Sequence, residues 1–177
     1  MTTYLALLRA INLRGKQLRM EDLRGVFAAL GYGDVRTYIQ TGNVLFTSAE
    51  EPPKLAADVE RRLALDLGLT TRVLLRTGDD LTGVVAGNPF AAAEPDLKKL
   101  HVTFLDREPD PERAAAVAAP GGETAEFAIA GREVYLHTPD GYGRSKLSNA
   151  FFERGLGVAG TTRNWRVTTK LDELLRA

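Results

Sequence analysis

Two glycines, an arginine, a serine and a lysine stand together in the segment PDGYGRSKLSNAFFERGLG, residues 139–157. Ser145 is a good helix N-cap, and the apolar spacing after it predicts a helix that continues to Arg154. The first N–H groups of a helix lack partners and attract anions, and Arg144 and Lys146 would add full positive charges beside them. The segment predicts an anion site. A capped helix after a tight turn, with two solvated basic residues, explains it equally well.

A second polar group, TTRNW at 161–165, follows closely and holds the chain's single tryptophan. Arg163 could contact a phosphate or carboxylate with two parallel hydrogen bonds, Asn164 could add a further one, and Trp165 could stack on a base. The competing interpretation is structural: Thr162 or Asn164 opens the last helix, and Trp165 packs beneath it. Arg163 is the residue that the structural interpretation explains least well.

The first half of the chain has polar loops of its own. RAINLRGKQLR places Arg9 and Asn12 at the end of the first strand and Lys16 in the loop before the first helix. YIQTGNV places Gln40 and Asn43 beside a Thr-Gly-Asn sequence that is typical of turns. These five residues are candidate ligand contacts, although a hairpin turn accounts for the second group without a ligand.

Catalytic chemistry is weakly supported. His101 and His137 both lie on predicted strands, and neither has the spacing of a metal-binding motif. The order Gly141, Gly143, Arg144, Ser145, Lys146 fits neither the phosphate-binding loop G-x-x-x-x-G-K-[ST] nor the dinucleotide fingerprint. Ser145 beside Lys146 suggests an activated nucleophile, but no supporting base can be identified. We therefore assign no catalytic residues, no metal and no cofactor.

Composition sets the class of protein. The chain has 177 residues, 44% of them hydrophobic and 26% charged, with no cysteine. These values are typical of a globular protein, and no apolar run approaches the ~18 residues of a membrane span. The lack of cysteine excludes disulfides and thiolate chemistry, so we expect a cytoplasmic protein that does not engage a membrane.

Charge is balanced overall but uneven along the chain. The formal net charge is zero, which gives no general attraction to nucleic acid. Basic residues are nevertheless concentrated in residues 9–19 and 141–170. Two such segments could form one basic patch, although a chain rich in arginine would show such clusters without one.

Hydrophobic periodicity gives the same order of elements in both halves. Each half contains a strand, a helix, a hairpin and a second helix; the first half ends in a strand, whereas the second shows no clear final strand and ends in a helix. This order predicts an α+β protein made of two tandem ferredoxin-like (split βαβ) subdomains with antiparallel sheets, plus a C-terminal helix. The predicted divisions are residues 1–77, a helix and connecting segment at 78–98, and residues 99–177.

Two long blocks resemble a known family. LLRAINLRGKQLRMEDLRGVFAALGYGDVRTYIQTGNVLF at 7–46 and PDGYGRSKLSNAFFERGLGVAGTTRNWRVTTKL at 139–171 are similar to the signature segments of the domain-of-unknown-function 1697 family. The resemblance spans essentially the whole chain. It implies two ferredoxin-like subdomains and no established activity, and it is densest on polar loop residues, where function is commonly located.

These observations leave three hypotheses open. The first is a non-catalytic protein that binds a phosphate-bearing ligand, either a nucleotide or a nucleic acid, through the basic loop residues. The second is an enzyme that acts on a small anionic substrate near Ser145 or Lys146. The third is a protein-interaction or dimerisation module in which the same residues are structural. The sequence predicts neither the oligomeric state nor the ligand.

Overall fold

The computed structural model describes residues 1–9 and 18–177, so the predicted contacts Asn12 and Lys16 lie outside the described residues. The described chain forms two compact units. Unit 1 comprises Met1–Leu81 together with Glu173–Ala177, and unit 2 comprises Thr82–Asp172.

Unit 1 is a four-stranded antiparallel sheet with two helices packed on one face. Its elements are β1 (Thr2–Leu8), α1 (Met20–Ala29), β2 (Gly33–Thr37), β3 (Asn43–Ser48), α2 (Pro52–Leu67) and β4 (Val73–Thr77), after which α3 (Gly78–Ala86) begins. The strand order is β2-β3-β1-β4, and every neighbouring pair is antiparallel.

The helices of unit 1 form where the apolar spacing predicts them. Leu55, Val59 and Leu63 recur one turn apart on α2 and are fully buried against the sheet. The helix begins with two prolines, whose missing N–H groups would have no partner there, and it ends at Gly68, which has a φ of 61°. The core of unit 1 is therefore formed between these helices and one face of the sheet.

Unit 2 repeats this order of elements. After a turn of 3-10 helix at Leu97–Lys99, it contains β5 (Leu100–Leu105), α4 (Pro111–Ala116), β6 (Glu126–Ala130), β7 (Glu133–His137), α5 (Asn149–Leu156), β8 (Gly160–Asn164) and the start of α6 (Trp165–Arg176). Its antiparallel sheet has the order β6-β7-β5-β8. Phe152 of α5 is fully buried in the core, with its ring 5.2 Å from that of Phe127.

The α+β class and the two antiparallel sheets are confirmed, but the prediction that the second half lacks a final strand was wrong. The segment Gly160–Asn164 is β8, which pairs with β5 from His101↔Asn164 to Leu105↔Gly160. Gly-Thr-Thr-Arg-Asn carries no alternating apolar residues, so the pattern typical of a half-buried strand is absent. Its place in the sheet depends on the ladder with β5 and on side-chain hydrogen bonds, which the sequence pattern does not reveal.

Candidate ligand-binding cleft

The segment that contains Arg144, Ser145 and Lys146 lies before α5 and not within it. Tyr142–Arg144 form a short turn of 3-10 helix, and Ser145 is extended. The prediction that Ser145 caps the helix was wrong: the side chain of Ser148 accepts the Phe151 N–H at 3.2 Å, and α5 begins at Asn149. Ser145 instead accepts the Leu147 N–H through its hydroxyl at 3.0 Å, a local turn that competes with helix formation.

A cleft of about 260 Å³ opens beside this segment in unit 2. It combines the predicted basic residues with a second segment some twenty residues earlier in the chain. Gly122 and Gly141 permit this geometry, because their φ angles of 79° and 92° are rarely adopted by residues with a Cβ. The lining residues are Gly122, Glu123, Thr124, Ala125, Thr138, Asp140, Gly141, Arg144, Ser145 and Lys146.

Glu123 takes hydrogen bonds that were expected to go to an external anion. Its carboxylate accepts the Lys146 N–H at 2.7 Å and the Ala125 N–H at 2.9 Å, and it also bonds to the Ser145 hydroxyl. The Lys146 N–H, with smaller contributions from the others, lowers the pKa of Glu123. The chain therefore supplies its own anion at these backbone groups.

Asp140 is the second carboxylate of the cleft. It is exposed, and its Oδ2 accepts a hydrogen bond from the Thr124 hydroxyl at 2.6 Å. This bond joins the two segments that line the cleft. Within residues 1–9 and 18–177, the hydrogen-bond donors to Glu123 and Asp140 are N–H and hydroxyl groups. Neither carboxylate makes an ion pair with a cation among these residues.

Arg144 and Lys146 are exposed at the cleft, and within the described part of the chain their side chains have no ion-pair partner. Some other basic residues are paired: Lys54 bridges Glu50 and Asp58, and Arg62 bonds to Asp66 at 2.6 Å. The cleft thus holds two positive and two negative side chains that do not pair with each other.

The second predicted group, at 161–165, has structural contacts away from the cleft lining. Arg163 on β8 is buried, which lowers its pKa to about 10, and its Nη1 donates to Thr161 Oγ1 at 2.6 Å and to the Thr162 carbonyl at 3.1 Å. Asn164 Oδ1 accepts the Val167 N–H at 2.8 Å at the start of α6, and Trp165 is buried. None of these three residues lines the cleft.

A polar network fixes β8 to β5 and α5. Asn149 Nδ2 donates to the Gly160 carbonyl at 2.9 Å and to Glu153 Oε1 at 3.0 Å, while Glu153 Oε2 accepts the Gly160 N–H at 3.1 Å. The Thr162 hydroxyl bonds to Asn149 Oδ1 at 3.3 Å and to the Thr103 hydroxyl at 2.8 Å. The network therefore holds β8 in the sheet through side-chain hydrogen bonds as well as through its ladder with β5.

A side chain at Gly160 would be crowded by its neighbours in this network. A Cβ there would lie 3.1 Å from the Phe104 carbonyl oxygen, 3.2 Å from Thr103 Cγ2 and 3.3 Å from Asn149 Oδ1. We expect Gly160→Ala to lower the free energy of unfolding by roughly 1 kcal/mol, measured by urea denaturation. Gly121→Ala is the matched control, because nothing lies within 4 Å of its Cβ position. Equal stability of the two variants would contradict this account of β8.

The first-unit candidates occupy a strand end and a turn. The Arg9 N–H donates to the Arg72 carbonyl at 3.0 Å, next to the last residue of β1. Asn43 is fully buried, and its Nδ2 donates to the Tyr38 carbonyl at 3.0 Å and to Thr41 Oγ1 at 2.7 Å. Gln40 lies in the same turn. Asn43 therefore has the turn-forming role that competed with ligand binding in the sequence.

The two histidines have opposite surroundings. His101 stacks on Tyr142 with ring centroids 4.4 Å apart, its Nδ1 is buried without a partner among the described residues, and burial lowers its pKa to about 4. His137 bonds through Nε2 to Glu94 at 3.0 Å and through Nδ1 to Glu126 at 3.2 Å; the Glu94 bond is the main cause of its raised pKa. Neither histidine lines the cleft.

Residues 1–9 and 18–177 contain neither a metal-binding cluster nor a membrane-spanning helix. No group of three or more histidine, cysteine, aspartate or glutamate side chains is arranged to hold a metal ion there. Over the same residues, none of the helices combines the length and the hydropathy that a membrane crossing requires.

Comparison with known proteins gives a family and a fold. The family model described as "Protein of unknown function (DUF1697)" matches residues 1–135, so the match ends just before the segment with Arg144. A solved structure, a conserved bacterial protein from Streptococcus pneumoniae, is similar over 100% of this chain and 99% of its own, with 22% identity and a TM-score of 0.79. No protein of curated function is significantly similar to the chain.

Proposed function

The chain belongs to the DUF1697 family of proteins of unknown function, and we propose that it is a binding protein for a small phosphate-bearing ligand, held in the unit 2 cleft by Arg144 and Lys146. The observation that carries the proposal is the pair of exposed cations at the cleft without ion-pair partners in the described chain. A guanidinium can bind two phosphate oxygens at once, and an ammonium adds a compact charge beside it.

The size of the cleft favours a small ligand over a polymer. Its volume of about 260 Å³ is just below the range of roughly 300–1,000 Å³ typical of sites for drug-sized molecules. A phosphate monoester or the phosphate end of a nucleotide has a suitable size. A nucleic acid would also bring a row of phosphates toward the carboxylates of Glu123 and Asp140, which repel it.

Titration with inorganic phosphate, pyrophosphate and nucleoside monophosphates, followed by calorimetry, tests the proposal. We expect saturable binding that Arg144→Ala and Lys146→Ala each weaken about tenfold, as is typical for the loss of a charge-assisted contact. Arg154→Ala is the matched control, because Arg154 is an exposed arginine of unit 2 that does not line the cleft. Absence of binding, or equal losses in the Arg154 variant, would refute the cleft as a phosphate site.

A nucleic-acid ligand has a distinct signature in the same experiment. Binding of short RNA or DNA would weaken steeply as salt concentration rises, because each neutralised phosphate releases counterions. A small ligand held by two cations should show a milder dependence. Tight oligonucleotide binding with a steep salt slope would replace the small-ligand proposal with the nucleic-acid alternative.

We further propose that each unit follows the split βαβ plan of ferredoxin-like folds and that the two units are copies of one ancestral repeat. The shared order of strands and helices and the matching strand orders of the two sheets support both statements.

A further inference from the structure

The cleft of unit 2 is balanced in charge but does not neutralise itself. Arg144 and Lys146 contribute two positive charges, and Glu123 and Asp140 contribute two negative charges. Lys54, by contrast, pairs with both Glu50 and Asp58. Here the described partners of the carboxylates are N–H and hydroxyl groups, and the two exposed cations make no ion pair with residues 1–9 and 18–177.

The two carboxylates are held in place by the loop that surrounds them. Glu123 is fixed by the N–H groups of Lys146 and Ala125, and Asp140 by the Thr124 hydroxyl. A carboxylate that is fixed in this way cannot swing toward a neighbouring cation without losing its hydrogen bonds. The positions of the two carboxylates are therefore set by the folded loop.

We propose that the cleft selects a ligand that carries an amine a few bonds from its phosphate, and that Asp140 is the residue that determines this specificity. The phosphate would bind Arg144 and Lys146, and the ammonium would lie against Asp140, whose Oδ1 accepts no hydrogen bond from the residues at 1–9 and 18–177. An aminoalkyl phosphate is the simplest compound with this chemistry. The inference depends on the proposed function, because it assumes that the phosphate is bound by these cations.

Glu123 contributes to the same selection by a different route. Its charge is permanent over the neutral range, since hydrogen bonding lowers its pKa. Its oxygens are occupied by the loop, so it acts on the ligand through its field and not through a direct bond. That field weakens the binding of a phosphate dianion without an amine, and it favours a ligand whose ammonium offsets the negative charge of the phosphate.

Ethyl phosphate and 2-aminoethyl phosphate form a matched pair of probes, because they share a phosphate monoester and differ by one amine. An alkylammonium stays charged at pH 7.5, as the lysine side chain does. In calorimetric titrations of the full chain at pH 7.5, we expect 2-aminoethyl phosphate to bind about fivefold more tightly than ethyl phosphate, which is the effect of one well-placed but solvent-screened ion pair. Ethanolamine, which lacks the phosphate, should not bind measurably.

Asp140→Asn should reduce this preference to about twofold or less, because the amide still accepts the Thr124 hydrogen bond but carries no charge. Glu108→Gln is the control for a lost charge, since Glu108 is an exposed carboxylate of unit 2 outside the cleft. That variant should keep the wild-type ratio. Arg144→Ala should weaken the binding of both phosphate compounds and leave the ratio of their affinities nearly unchanged.

The outcomes separate the two proposals. Equal affinities of the two phosphates for the wild-type protein, both reduced by Arg144→Ala, would overturn the amine selection and leave the phosphate site standing. Absence of binding by either compound would overturn both. A retained preference in a folded Asp140→Asn variant would overturn the role of Asp140.

Some lipid headgroups also carry an amine a few bonds from a phosphate. Binding to lipid vesicles distinguishes such a headgroup from a small soluble ligand. We expect no co-sedimentation with vesicles that contain phosphatidylethanolamine, because its phosphate is a diester attached to a flat surface. Co-sedimentation that Arg144→Ala abolishes would overturn the small-molecule ligand in favour of a membrane headgroup.

Discussion

Replacing Asn149 with alanine is expected to lower the free energy of unfolding by about 2–3 kcal/mol, because three hydrogen bonds in a partly buried network are lost together. The Gly160 carbonyl and Glu153 Oε1 lose a donor, and the Thr162 hydroxyl loses an acceptor. The variant keeps the Ser148 cap of α5, so loss of the cap is not the cause. Urea denaturation followed by circular dichroism measures the effect.

Asn164→Ala is the matched control for this prediction. Asn164 is an asparagine of the same unit, and its described side-chain bond is the one to the Val167 N–H at the start of α6. Loss of such a cap costs about 1 kcal/mol. A stability loss in Asn149→Ala no larger than that of Asn164→Ala would show that the network does not hold β8 to α5.

The Asn149 network also shows why the sequence alone does not separate structural from ligand-binding residues around β8. TTRNW is a candidate ligand-contacting group in the sequence, but its residue Thr162 bonds to Asn149 and Thr103 and completes a sheet. A single sequence does not show which polar residues face each other across a fold. The chemistry of Arg163 and Trp165 predicted a ligand contact, and the structure buries both side chains, one on a strand and one at a helix start.

The helices and most strands could be predicted because their apolar residues recur with a fixed period, as on α2. β8 could not, because its position is set by pairing with β5 and not by its own composition. Only one of the two segments that line the cleft could be predicted from the sequence. Arg144, Ser145 and Lys146 stood out as a motif, whereas Glu123 is contributed by a turn about twenty residues earlier that only the folded chain brings next to Lys146.

Stability is expected to depend on pH in opposite directions at the chain's two histidines. Burial lowers the pKa of His101 from 6.5 to about 4, so between these values the unfolded state binds more protons than the folded state. The contribution of His101 to stability is fully present above pH 6.5 and is lost as the pH falls toward 4. Protonation would also give the buried Nδ1 a hydrogen for which the described residues offer no acceptor.

His101→Phe isolates this effect, because phenylalanine keeps an aromatic ring beside Tyr142 and removes the titration. A pKa difference of this size corresponds to about 3 kcal/mol if fully expressed, and solvent screening of the partly exposed ring reduces it to roughly 1–2 kcal/mol. Between pH 6.5 and 4, we expect the wild-type protein to lose that much more stability than the variant. Parallel stability curves would contradict the burial of a neutral imidazole.

His137 should behave in the opposite way because Glu94 and, more weakly, Glu126 hold its proton and raise its pKa above 6.5. Its contribution is fully present below pH 6.5 and disappears as the pH rises through its folded pKa, so His137→Asn should cost more stability at pH 5.5 than at pH 9. Since the chain has only two histidines, NMR titration of their ring protons resolves both. The pKa of one histidine should lie below 6.5 and that of the other above it. Two pKa values on the same side of 6.5 would contradict these predictions.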